Sequence, residues 1–552
     1  MFFRNFAFLG ILFIGAFLRF YKLDWGEGNF FHPDEYHIAA AVNRISFPTQ
    51  MNPRLFTYGS FVIYLIYFTR SVLIFLKLKL FNLNPILLGR FYSALFSTLT
   101  IAVVFLLFKR LLKSNFGSHL AALLTTLTPG LVQQAHFATP ESILTFWILV
   151  TLFFLSVWST QGKLKFLYLA AVSLGLALAT KIVALLFLPF LVIPFQNLSQ
   201  SAKRFLKDPI HLIRLVVFPL LITGLVFFLV FPFVILDYRS FRSSMNYEVG
   251  VGRGTPIVFY TRQFINTVPL LFQAQKILPY AIGLPVLLLG VSGFILMSLD
   301  FWRFLKSKNS WVHFLVILFF LTYFLFNSFL FAKWTRFIAP TFPFFAIFAA
   351  YFIAKIKNKI LLVVCYILVF LNIFWMMMFF SIYLRPDIRI TASEWIKDNL
   401  PFQSVIFTEQ GNVVEVPFRG VFRKISLDFY SLEEDFQIQR QISEYLAQAD
   451  YFIVQSRRLF FNHQRLSYLY PKTAKFYDQL FSSALGFEKI KEFSSYPKFS
   501  IFPVFLVEES FQLSIPDETA EETWSVFDHP VIRIYKKTKF FSPQEYEKLL
   551  GF

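Results

Sequence analysis

Long apolar runs recur along the first 380 residues of this chain and restrict its fold more than any other feature. A helix that crosses the bilayer core needs about 20 predominantly apolar residues, because the core is about 30 Å thick. Eleven runs meet or approach that length, near residues 5–20, 88–108, 118–135, 142–158, 165–180, 182–196, 213–235, 276–299, 312–331, 337–354 and 359–380. The sequence therefore predicts an α-helical polytopic membrane protein with about 11 transmembrane helices.

Composition excludes the other broad classes of protein. The mean hydropathy is +0.59 and only 15% of the residues are charged, whereas charged residues make up about a quarter of an ordinary soluble protein. Residues 1–380 contain 32 Lys and Arg but only 9 Asp and Glu, and many of the basic residues lie in short segments between apolar runs. This distribution is typical of membrane orientation, so we expect membrane lipids and no nucleic acid as partners.

The orientation of the chain in the membrane depends on a further apolar stretch at 60–80, which contains three basic residues. If it lies along the membrane surface, the alternate loops that fall on the cytoplasmic side hold 16 basic residues: Arg4 and those in 109–113, 163–165, 203–214, 303–308 and 355–359. A crossing at 60–80 would weaken this excess of positive charge inside. We therefore expect an interfacial or re-entrant helix at 60–80, with long outer loops at 21–87 and 236–275.

The chain changes character after residue 380. An amphipathic helix is predicted at 385–401, and short apolar strands follow, among them SVIFTEQ, ADYFIVQS and HPVIRIYKK. Helices that alternate with short strands indicate a small α/β domain. We therefore predict a transmembrane domain over 1–380 and an extracytoplasmic α/β domain over 381–552, in a multi-pass protein of a prokaryotic cell membrane.

The segment HPDEYH places two acids, Asp34 and Glu35, soon after the first apolar run. Pro33 fixes the backbone there, so the acids are expected to begin a helix whose N-terminus favours negative charge. Asp34 taken alone could be only a helix cap. Two acids flanked by histidines instead favour catalysis or metal binding, since a carboxylate near hydrocarbon is costly without a partner or a function.

A second carboxylate, Glu141, begins another predicted helix directly after Pro140 in the segment AHFATPESILTFW. It could be merely a first-turn acid that the helix dipole favours. Both carboxylate sites are nevertheless predicted at helix starts on the same outer membrane face. This coincidence favours one shared site.

Basic residues outside the predicted cytoplasmic loops form a complementary set. They are Arg54, Lys181, Arg253, Lys333 and Arg336, in outer loops or near the outer ends of helices. Each could be a snorkelling interfacial side chain, yet a phosphate at the membrane surface needs such partners. Lys181 is the most informative, because it alone interrupts the apolar stretch 166–195.

Six segments, in order, resemble the polytopic glycosyltransferases that use polyprenyl-phosphate sugars, in particular the dolichyl-phosphate-mannose protein mannosyltransferase-like group of the GT-C fold. They are HPDE, NPRLFTYGSFVIYLI, HFATPESILTFW, LGLALATKIVALLFLP, KWTRFIAPTFPFFAIFAAYF and RPDIRITASEWIKDNLP. Two departures stand out. Glu141 takes the place of a common Asp, and Tyr36, His37 and the pair Phe56 and Thr57 occupy regions where some relatives have basic residues.

The resemblance implies an inverting glycosyltransferase that moves a sugar from a polyprenyl phosphate to an acceptor hydroxyl of a protein, lipid or glycan at the outer face. It implies Asp34 as the general base, with Glu35 and Glu141 as further catalytic residues. Binding of the substrate or its phosphate is expected from His32, Arg54, Tyr58, Lys181, Arg253 and Arg336. No general acid is required, because the phosphate leaving group is already a weak base. No cofactor is expected to be required.

Other functions stay open at this level. A polytopic transporter or lipid-linked-sugar flippase would also contain many helices and intramembrane charges, but two long outer loops and a large outer domain do not suit it. A purely structural anchor would have no use for carboxylates at the membrane. Within the transferase class, a divalent metal could be held by His32, Asp34, Glu35 and Glu141, although their spacing matches no established metal signature.

Overall fold

The structure, a computed structural model, describes residues 2–192, 210, 213–303, 310–410, 415–500 and 512–552. Most of the basic loop 203–214, the segment 304–308 and the end of the apolar run 182–196 lie outside these described residues. The chain forms two compact units. The first comprises Met1–Leu23, Asp34–Pro256 and Asn266–Met377, and the second comprises Asp24–Pro33, Ile257–Ile265 and Met378–Phe552.

Helices form the regular secondary structure of the described residues up to 380. They are α1 (Phe2–Phe20), α2 (Pro33–Arg44), α3 (Ser60–Phe75), α4 (Pro85–Leu112), α5 (Asn115–Thr126), α6 (Pro129–Ala135), α7 (Glu141–Gln161), α8 (Leu164–Thr180), α9 (Phe218–Val230), α10 (Phe233–Leu236), α11 (Tyr238–Arg253), α12 (Leu284–Arg303), α13 (Ser310–Phe329), α14 (Thr335–Ile338), α15 (Phe342–Lys355) and α16 (Lys359–Phe380). Short 3₁₀ or π-helical segments lie at Leu80–Leu83, Ile182–Leu191, Ile213–Val217, Phe259–Phe264, Gln273–Ile277, Pro279–Gly283 and Ala339–Thr341.

Seven helices among the described residues are long and apolar enough to cross a membrane: Pro85–Leu112, Glu141–Gln161, Ile213–Val230, Pro279–Arg303, Trp311–Phe329, Thr335–Lys355 and Lys359–Phe380. Four shorter apolar helices accompany them, at Phe6–Phe20, Ser60–Phe75, Leu164–Thr180 and Ile182–Leu191. The polytopic helical architecture is thereby confirmed, and the count of about eleven crossings stays a prediction. In an 18-residue window of Thr335–Lys355, 83% of the residues are buried, so this helix lies inside the unit, whereas only 11% of the residues of Ile213–Val230 are buried.

The apolar run at 118–135 is not one helix, contrary to expectation. Helix α5 ends at Thr126, and α6 begins at Pro129. Proline is suited to the first turn of a helix, where no N–H is needed, but it cannot continue one, because it lacks the donor and its ring clashes with the preceding turn. The predicted helix at 60–80 is confirmed as α3, which ends at Phe75.

Helices α2 and α3 pack together against the beginnings of α4 and α7. Their shared core includes Ile38 and Val42 of α2, Ile63 of α3, Leu88 of α4 and Ile143 of α7. The acids at the start of α2 therefore lie at the end of the unit where α4 and α7 begin.

The second unit contains a mixed five-stranded sheet with helices packed on it. The α/β character predicted for the C-terminal domain is confirmed, whereas the number and order of the strands were not predicted. Its strands are β1 (Val405–Gln410), β2 (Arg423–Asp428), β3 (Tyr451–Val454), β4 (Phe487–Phe493) and β7 (Ile532–Lys537), in the order β2-β1-β3-β7-β4. Strand β1 is parallel to β2 and β3, whereas β7 is antiparallel to β3 and β4. Strands β5 (Lys498–Ser500) and β6 (Gln512–Ser514) form a separate antiparallel pair. The three strands predicted from SVIFTEQ, ADYFIVQS and HPVIRIYKK are confirmed as β1, β3 and β7.

Apolar cores cover both faces of this sheet. Neighbouring strand residues point to opposite faces, so Phe407 and Phe452 enter one core while Ile406 and Ile453 enter the other. The predicted helix at 385–401 is confirmed as α17 (Ile388–Asn399), which packs in the second of these cores. Helices α18 (Phe436–Gln448), α20 (Pro471–Phe481) and α22 (Pro543–Leu550) pack in the first, and α19 (Phe460–Arg465) and α21 (Glu522–Ser525) complete the unit.

Two loop segments belong to this second unit and are held there by two arginines, the buried Arg389 and the exposed Arg465. Arg389 of α17 places its guanidinium 3.7 Å from the centre of the Phe31 ring. Its Nη2 also donates to the carbonyl oxygen of Phe527 over 2.7 Å. Arg465 donates to the carbonyl oxygen of Ile265 over 3.0 Å. The segments Asp24–Pro33 and Ile257–Ile265 are therefore part of the folded unit.

A buried histidine in the second unit lies between two carboxylates. His529 places Nδ1 2.5 Å from Asp528 Oδ1 and Nε2 2.9 Å from Asp517 Oδ2. Tyr383 donates to Asp528 over 2.7 Å, and Trp524 donates to Asp517 over 2.9 Å. Burial alone lowers the pKa of His529, but the charges and hydrogen bonds of the two carboxylates outweigh it and raise the pKa from 6.5 to about 10. His529 is therefore an imidazolium at neutral pH.

We predict that His529 makes the stability of the full-length protein depend on pH. Because the folded-state pKa lies above the unfolded-state value, the stabilising contribution is complete below about pH 6.5 and is lost as the pH rises through about 10. The difference in Tm between the native protein and His529→Asn, measured in neutral detergent, should therefore shrink steadily over this range. A constant difference from pH 6.5 to 10 would contradict a charged His529.

Candidate active site

Two acids begin helix α2, and their side chains have different surroundings. The helix starts at Pro33, so Asp34 and Glu35 occupy its first turn, where the helix N-terminus favours negative charge. The side chain of Asp34 is 16% exposed, whereas that of Glu35 is fully buried. Only the first of the two carboxylates can therefore meet a substrate from solvent without rearrangement.

Glu35 forms a buried two-pronged ion pair with Arg90 of α4. Arg90 donates from Nε to Oε1 over 2.8 Å and from Nη2 to Oε2 over 2.7 Å. The backbone N–H of Ala138 also donates to Oε1, over 2.8 Å, and Arg90 Nη1 donates to the carbonyl oxygen of Leu23 over 2.7 Å. These bonds join the start of α2 to α4 and to the segment that leads into α7. A pair of this geometry offsets the desolvation of both charges.

Asp34 forms an ion pair with Arg336, which lies on α14. Arg336 belongs to Thr335–Lys355, the most deeply buried of the long apolar helices. Its guanidinium lies 5.3 Å from the centre of the Trp334 ring and 5.9 Å from that of Phe337, within range of cation–π attraction. It also donates to the hydroxyl of Tyr58 over 3.5 Å.

Lys181 and Glu141 form a second ion pair beside the first. The ammonium of Lys181 lies 2.8 Å from Glu141 Oε1. It also lies 4.9 Å from the centre of the Phe337 ring and 5.9 Å from that of Tyr58. The second oxygen of Glu141 is buried without a hydrogen-bond partner among the described residues.

The two ion pairs and one tyrosine thus form a continuous row of side chains: Asp34, Arg336, Tyr58, Lys181 and Glu141. We call this the charged row. The two carboxylates are the outer members of this series of contacts, and the two cations both lie near Tyr58 and Phe337. The side chains of Arg336 and Lys181 are 21% and 17% exposed, so both cations can be reached from outside. An anionic group that approached the middle of the row would meet both.

A glycine brings Tyr58 next to Lys181. The backbone N–H of Gly59 donates to the carbonyl oxygen of Thr180 over 3.0 Å. A Cβ atom at Gly59 would lie only 1.9 Å from the carbonyl oxygen of Ala179, so any other residue would force the two segments apart. The absence of a side chain at this position therefore allows the segment before α3 to lie against the end of α8.

Helix α11 contacts the same segment from the predicted loop 236–275. Asn52 donates to Asp237 over 2.8 Å, and Thr57 donates to Glu248 over 3.0 Å. Burial raises the pKa of Glu248, and the hydrogen bond from Thr57 and the charge of Lys181 oppose this rise. A carboxylate thus stands close enough to the charged row to interact with one of its cations.

Three residues with a predicted binding role lie outside the charged row. Arg54 and Arg253 are exposed, the first in the segment between α2 and α3 and the second at the end of α11. His32 is buried in the second unit, where its ring centre lies 4.4 Å from that of Phe527. Their contribution to phosphate binding stays a prediction.

The three acids of the predicted site are each matched to a separate cation. Asp34 is paired with Arg336, Glu35 with Arg90 and Glu141 with Lys181. In the part of the chain that the structure describes, no group of three or more His, Cys, Asp or Glu side chains is placed to hold a metal ion. The residues of the metal-binding alternative, His32 included, do not form such a group.

Three residues of the site were not anticipated from the sequence: Arg90, Gly59 and Phe337. Arg90 could have been found, because it is the only charged residue in the apolar run 88–108 and a charge within such a run requires a partner. Gly59 gives no comparable signal, since its importance depends on a contact with a distant helix. Phe337 is one of 79 phenylalanines and cannot be distinguished by type.

Comparison with known proteins confirms the family resemblance. The model of the family described as dolichyl-phosphate-mannose-protein mannosyltransferase matches residues 11–239. This range includes Asp34, Glu35, Tyr58, Glu141 and Lys181 and excludes Arg336. An uncharacterized protein of Aquifex aeolicus (strain VF5) is 27% identical over 296 residues, which are 53% of this chain and 54% of that protein. The match therefore spans about half the length of this curated relative.

The chain shares its fold with solved structures of the Archaeoglobus fulgidus oligosaccharyltransferase. The Archaeoglobus fulgidus oligosaccharyltransferase in the apo form has a TM-score of 0.50 and 12% identity, over 86% of this chain and 72% of that chain. The same enzyme tethered to an acceptor peptide has a TM-score of 0.50 and 13% identity over the same shares. ArnT from Cupriavidus metallidurans bound to undecaprenyl phosphate has a TM-score of 0.43 and 14% identity, over 81% of this chain and 91% of that chain.

We predict that substitutions at the two neighbouring acids of α2 differ in their effect on stability. Glu35→Gln leaves the buried charge of Arg90 without its partner, which should lower the free energy of unfolding by about 3–5 kcal/mol. Asp34→Asn breaks a partly exposed pair and should change it by about 1 kcal/mol or less. Unfolding followed by tryptophan fluorescence in neutral detergent measures both.

The double variant Glu35→Gln/Arg90→Met serves as the control. It removes both buried charges and should recover part of the stability that Glu35→Gln loses. Equal destabilisation by Asp34→Asn and Glu35→Gln would show that the buried pair has no special structural role.

Proposed function

We propose that this protein is an inverting glycosyltransferase that moves a sugar from a polyprenyl phosphate to an acceptor hydroxyl at the outer face of a prokaryotic cell membrane. The observation that supports this proposal most is the charged row, which contains two accessible cations and one accessible carboxylate. Transfer from a lipid-linked sugar phosphate needs both elements: positive charge for the phosphate and a base for the acceptor. The match to a mannosyltransferase family over residues 11–239 supports the same reaction class.

Arg336 and Lys181 are assigned to the donor phosphate. Both are held by aromatic rings and by carboxylates, so their positions are fixed before the substrate arrives. Preorganised positive charge stabilises the negative charge that develops on the leaving phosphate more effectively than mobile water does. Tyr58, which lies near both cations, can donate a hydrogen bond from its hydroxyl to a phosphate oxygen.

Asp34 is assigned as the general base, because it is the most exposed of the three acids. Its carboxylate forms an ion pair with Arg336. A donor phosphate that binds Arg336 competes for the same guanidinium and frees the carboxylate to accept a proton. Donor binding would thus make the carboxylate of Asp34 available as a base, which couples binding of the donor to deprotonation of the acceptor.

The proposed transfer is a single in-line displacement. The acceptor oxygen attacks the anomeric carbon, and its proton passes to the carboxylate of Asp34. The bond between the anomeric carbon and the phosphate oxygen breaks, and its electron pair leaves with the phosphate. Attack opposite to the leaving group inverts the anomeric configuration. Proton transfer to the phosphate is unnecessary, because Arg336 and Lys181 compensate its charge.

Glu35 and Glu141 are assigned as positioning residues. Glu35 fixes the start of α2 through Arg90 and so determines where Asp34 points. Glu141 orients the ammonium of Lys181. We further propose that the transfer does not require a divalent metal, since each of the three acids already has a cation of its own.

We predict that Asp34→Asn lowers the rate of transfer by about 10²- to 10⁴-fold, because the amide cannot accept the proton. Membranes that contain the variant would be assayed with a panel of radiolabelled polyprenyl-phosphate sugars. Binding of undecaprenyl phosphate to the purified variant should be as tight as in the native protein or tighter, because the amide no longer competes for Arg336.

Arg336→Gln is the matched control, because it removes the opposite side of the same ion pair. It should weaken binding of undecaprenyl phosphate by about tenfold or more through the loss of a charged hydrogen bond. Near-normal transfer by Asp34→Asn would remove Asp34 as the base. An effect of EDTA on the native enzyme would contradict the metal-independent reaction.

The reaction at the outer face requires a specific topology, which we also propose: about eleven crossings, with α3 along the membrane surface and the ends of α4 and α7 in the cytoplasm. Helix α7 begins at the charged row and is 21 residues long, enough to cross the bilayer. The loop that follows it should then face the cytoplasm, and the C-terminal unit should lie outside.

Cysteine labelling tests this topology. In a Cys365→Ser background, Lys163→Cys, at an exposed position directly after α7, should resist an impermeant thiol reagent in intact cells. Lys397→Cys, at an exposed position of α17, should react. Both should react in permeabilised cells. Labelling of Lys163→Cys in intact cells would contradict the proposed orientation.

A further inference from the structure

A basic cavity of about 510 Å³ lies between the C-terminal ends of α4 and α7. Its wall contains Lys109, Arg110 and Lys113 from the end of α4, Thr160 and Gln161 from the end of α7, and the apolar side chains Leu106 and Phe153. Nothing in the proposed transfer reaction uses this cavity.

The cavity is far from the charged row. Arg90, at the beginning of α4, and Arg110, at its end, are separated by 20 residues of continuous helix. At about 1.5 Å per residue this amounts to about 30 Å, the thickness of the bilayer core. Helix α7 likewise begins with Glu141 of the charged row and ends at the cavity. The cavity therefore opens at the opposite membrane face.

The described lining of the cavity contains three cations and no carboxylate. Between Glu35 and Asp208 the sequence has one acidic residue, Glu141. Because Glu141 begins α7, the length of that helix separates it from the cavity. Three cations in one cavity wall favour an anionic ligand.

Arg110 is held in a fixed orientation at the wall of the cavity. Its Nε donates to Ser156 Oγ over 3.1 Å, and its Nη2 donates to the carbonyl oxygen of Ser156 over 3.0 Å. Nη2 also contacts the hydroxyl of Thr160. These bonds engage one edge of the guanidinium and leave its Nη1 for a ligand. A cation that exists only to orient the protein in the membrane needs no such fixation.

We propose that this cavity binds the phosphate of an anionic phospholipid in the leaflet at that face. Lys109, Lys113 and Arg110 Nη1 would bind the phosphate oxygens. Thr160 and Gln161 supply polar groups for a hydroxylated headgroup. Leu106, which is 46% exposed, and Phe153 lie on the α-helical turns towards the bilayer centre and would contact the acyl chains. A free phosphate ion shares the first set of contacts but has no use for these apolar ones.

Lipid binding to the full-length protein tests the proposal. Native mass spectrometry of the protein in neutral detergent, titrated with phosphatidylglycerol or phosphatidylcholine, should show selective retention of phosphatidylglycerol. Lys109→Gln/Lys113→Gln should weaken this binding by about 30-fold, as expected for two lysines at an anionic headgroup. Both lysines are exposed, so the variant should fold. Lys113→Gln alone, with a smaller loss of about fivefold, provides a second variant.

The matched control is Lys163→Gln/Lys165→Gln. It removes the same two charges from exposed positions at the beginning of α8, outside the cavity, and should change the affinity less than twofold. An equal loss in the two double variants would overturn the proposal, because the effect would then be one of general positive charge. Equal retention of phosphatidylcholine, or displacement of phosphatidylglycerol by inorganic phosphate at the same concentration, would also overturn it.

Discussion

The buried ion pair between Glu35 and Arg90 is the interaction on which the candidate site depends. A carboxylate cannot be buried in a membrane protein without a partner, and Arg90 meets this requirement with two hydrogen bonds, of 2.8 and 2.7 Å. The pair fixes the first turn of α2 against α4, and the backbone N–H of Ala138 fixes it against the segment before α7. The neighbouring Asp34 is thereby directed towards Arg336. One buried carboxylate thus positions the accessible one.

The charged row has the arrangement that a lipid-linked sugar phosphate would require. Its cations are accessible and are held by Phe337, Trp334 and Tyr58, while its carboxylates lie at the two ends. Each cation is paired with a carboxylate, so the charges of the row compensate one another. This arrangement limits the cost of keeping four charges at a membrane surface.

Much of this site could be predicted from the sequence, because charged residues are rare in an apolar chain and each requires a partner or a function. Asp34, Glu141, Lys181 and Arg336 were predicted in this way, and the structure brings them together. The contacts between them could not be predicted, because they depend on how α2, α8 and α14 pack. The close approach at Gly59 and the place of His32 in the second unit could not be predicted for the same reason. The break before Pro129 could have been predicted, since proline suits a helix start and not a helix interior.

The most direct test of the proposed function is an experimental structure of the protein with undecaprenyl phosphate bound. We predict that the phosphate lies between Arg336 and Lys181, with its oxygens within hydrogen-bonding distance of both, and that the carboxylate of Asp34 has separated from Arg336 and faces the open side of the site. A phosphate bound elsewhere on the protein, with the pair between Asp34 and Arg336 intact, would contradict the proposed function.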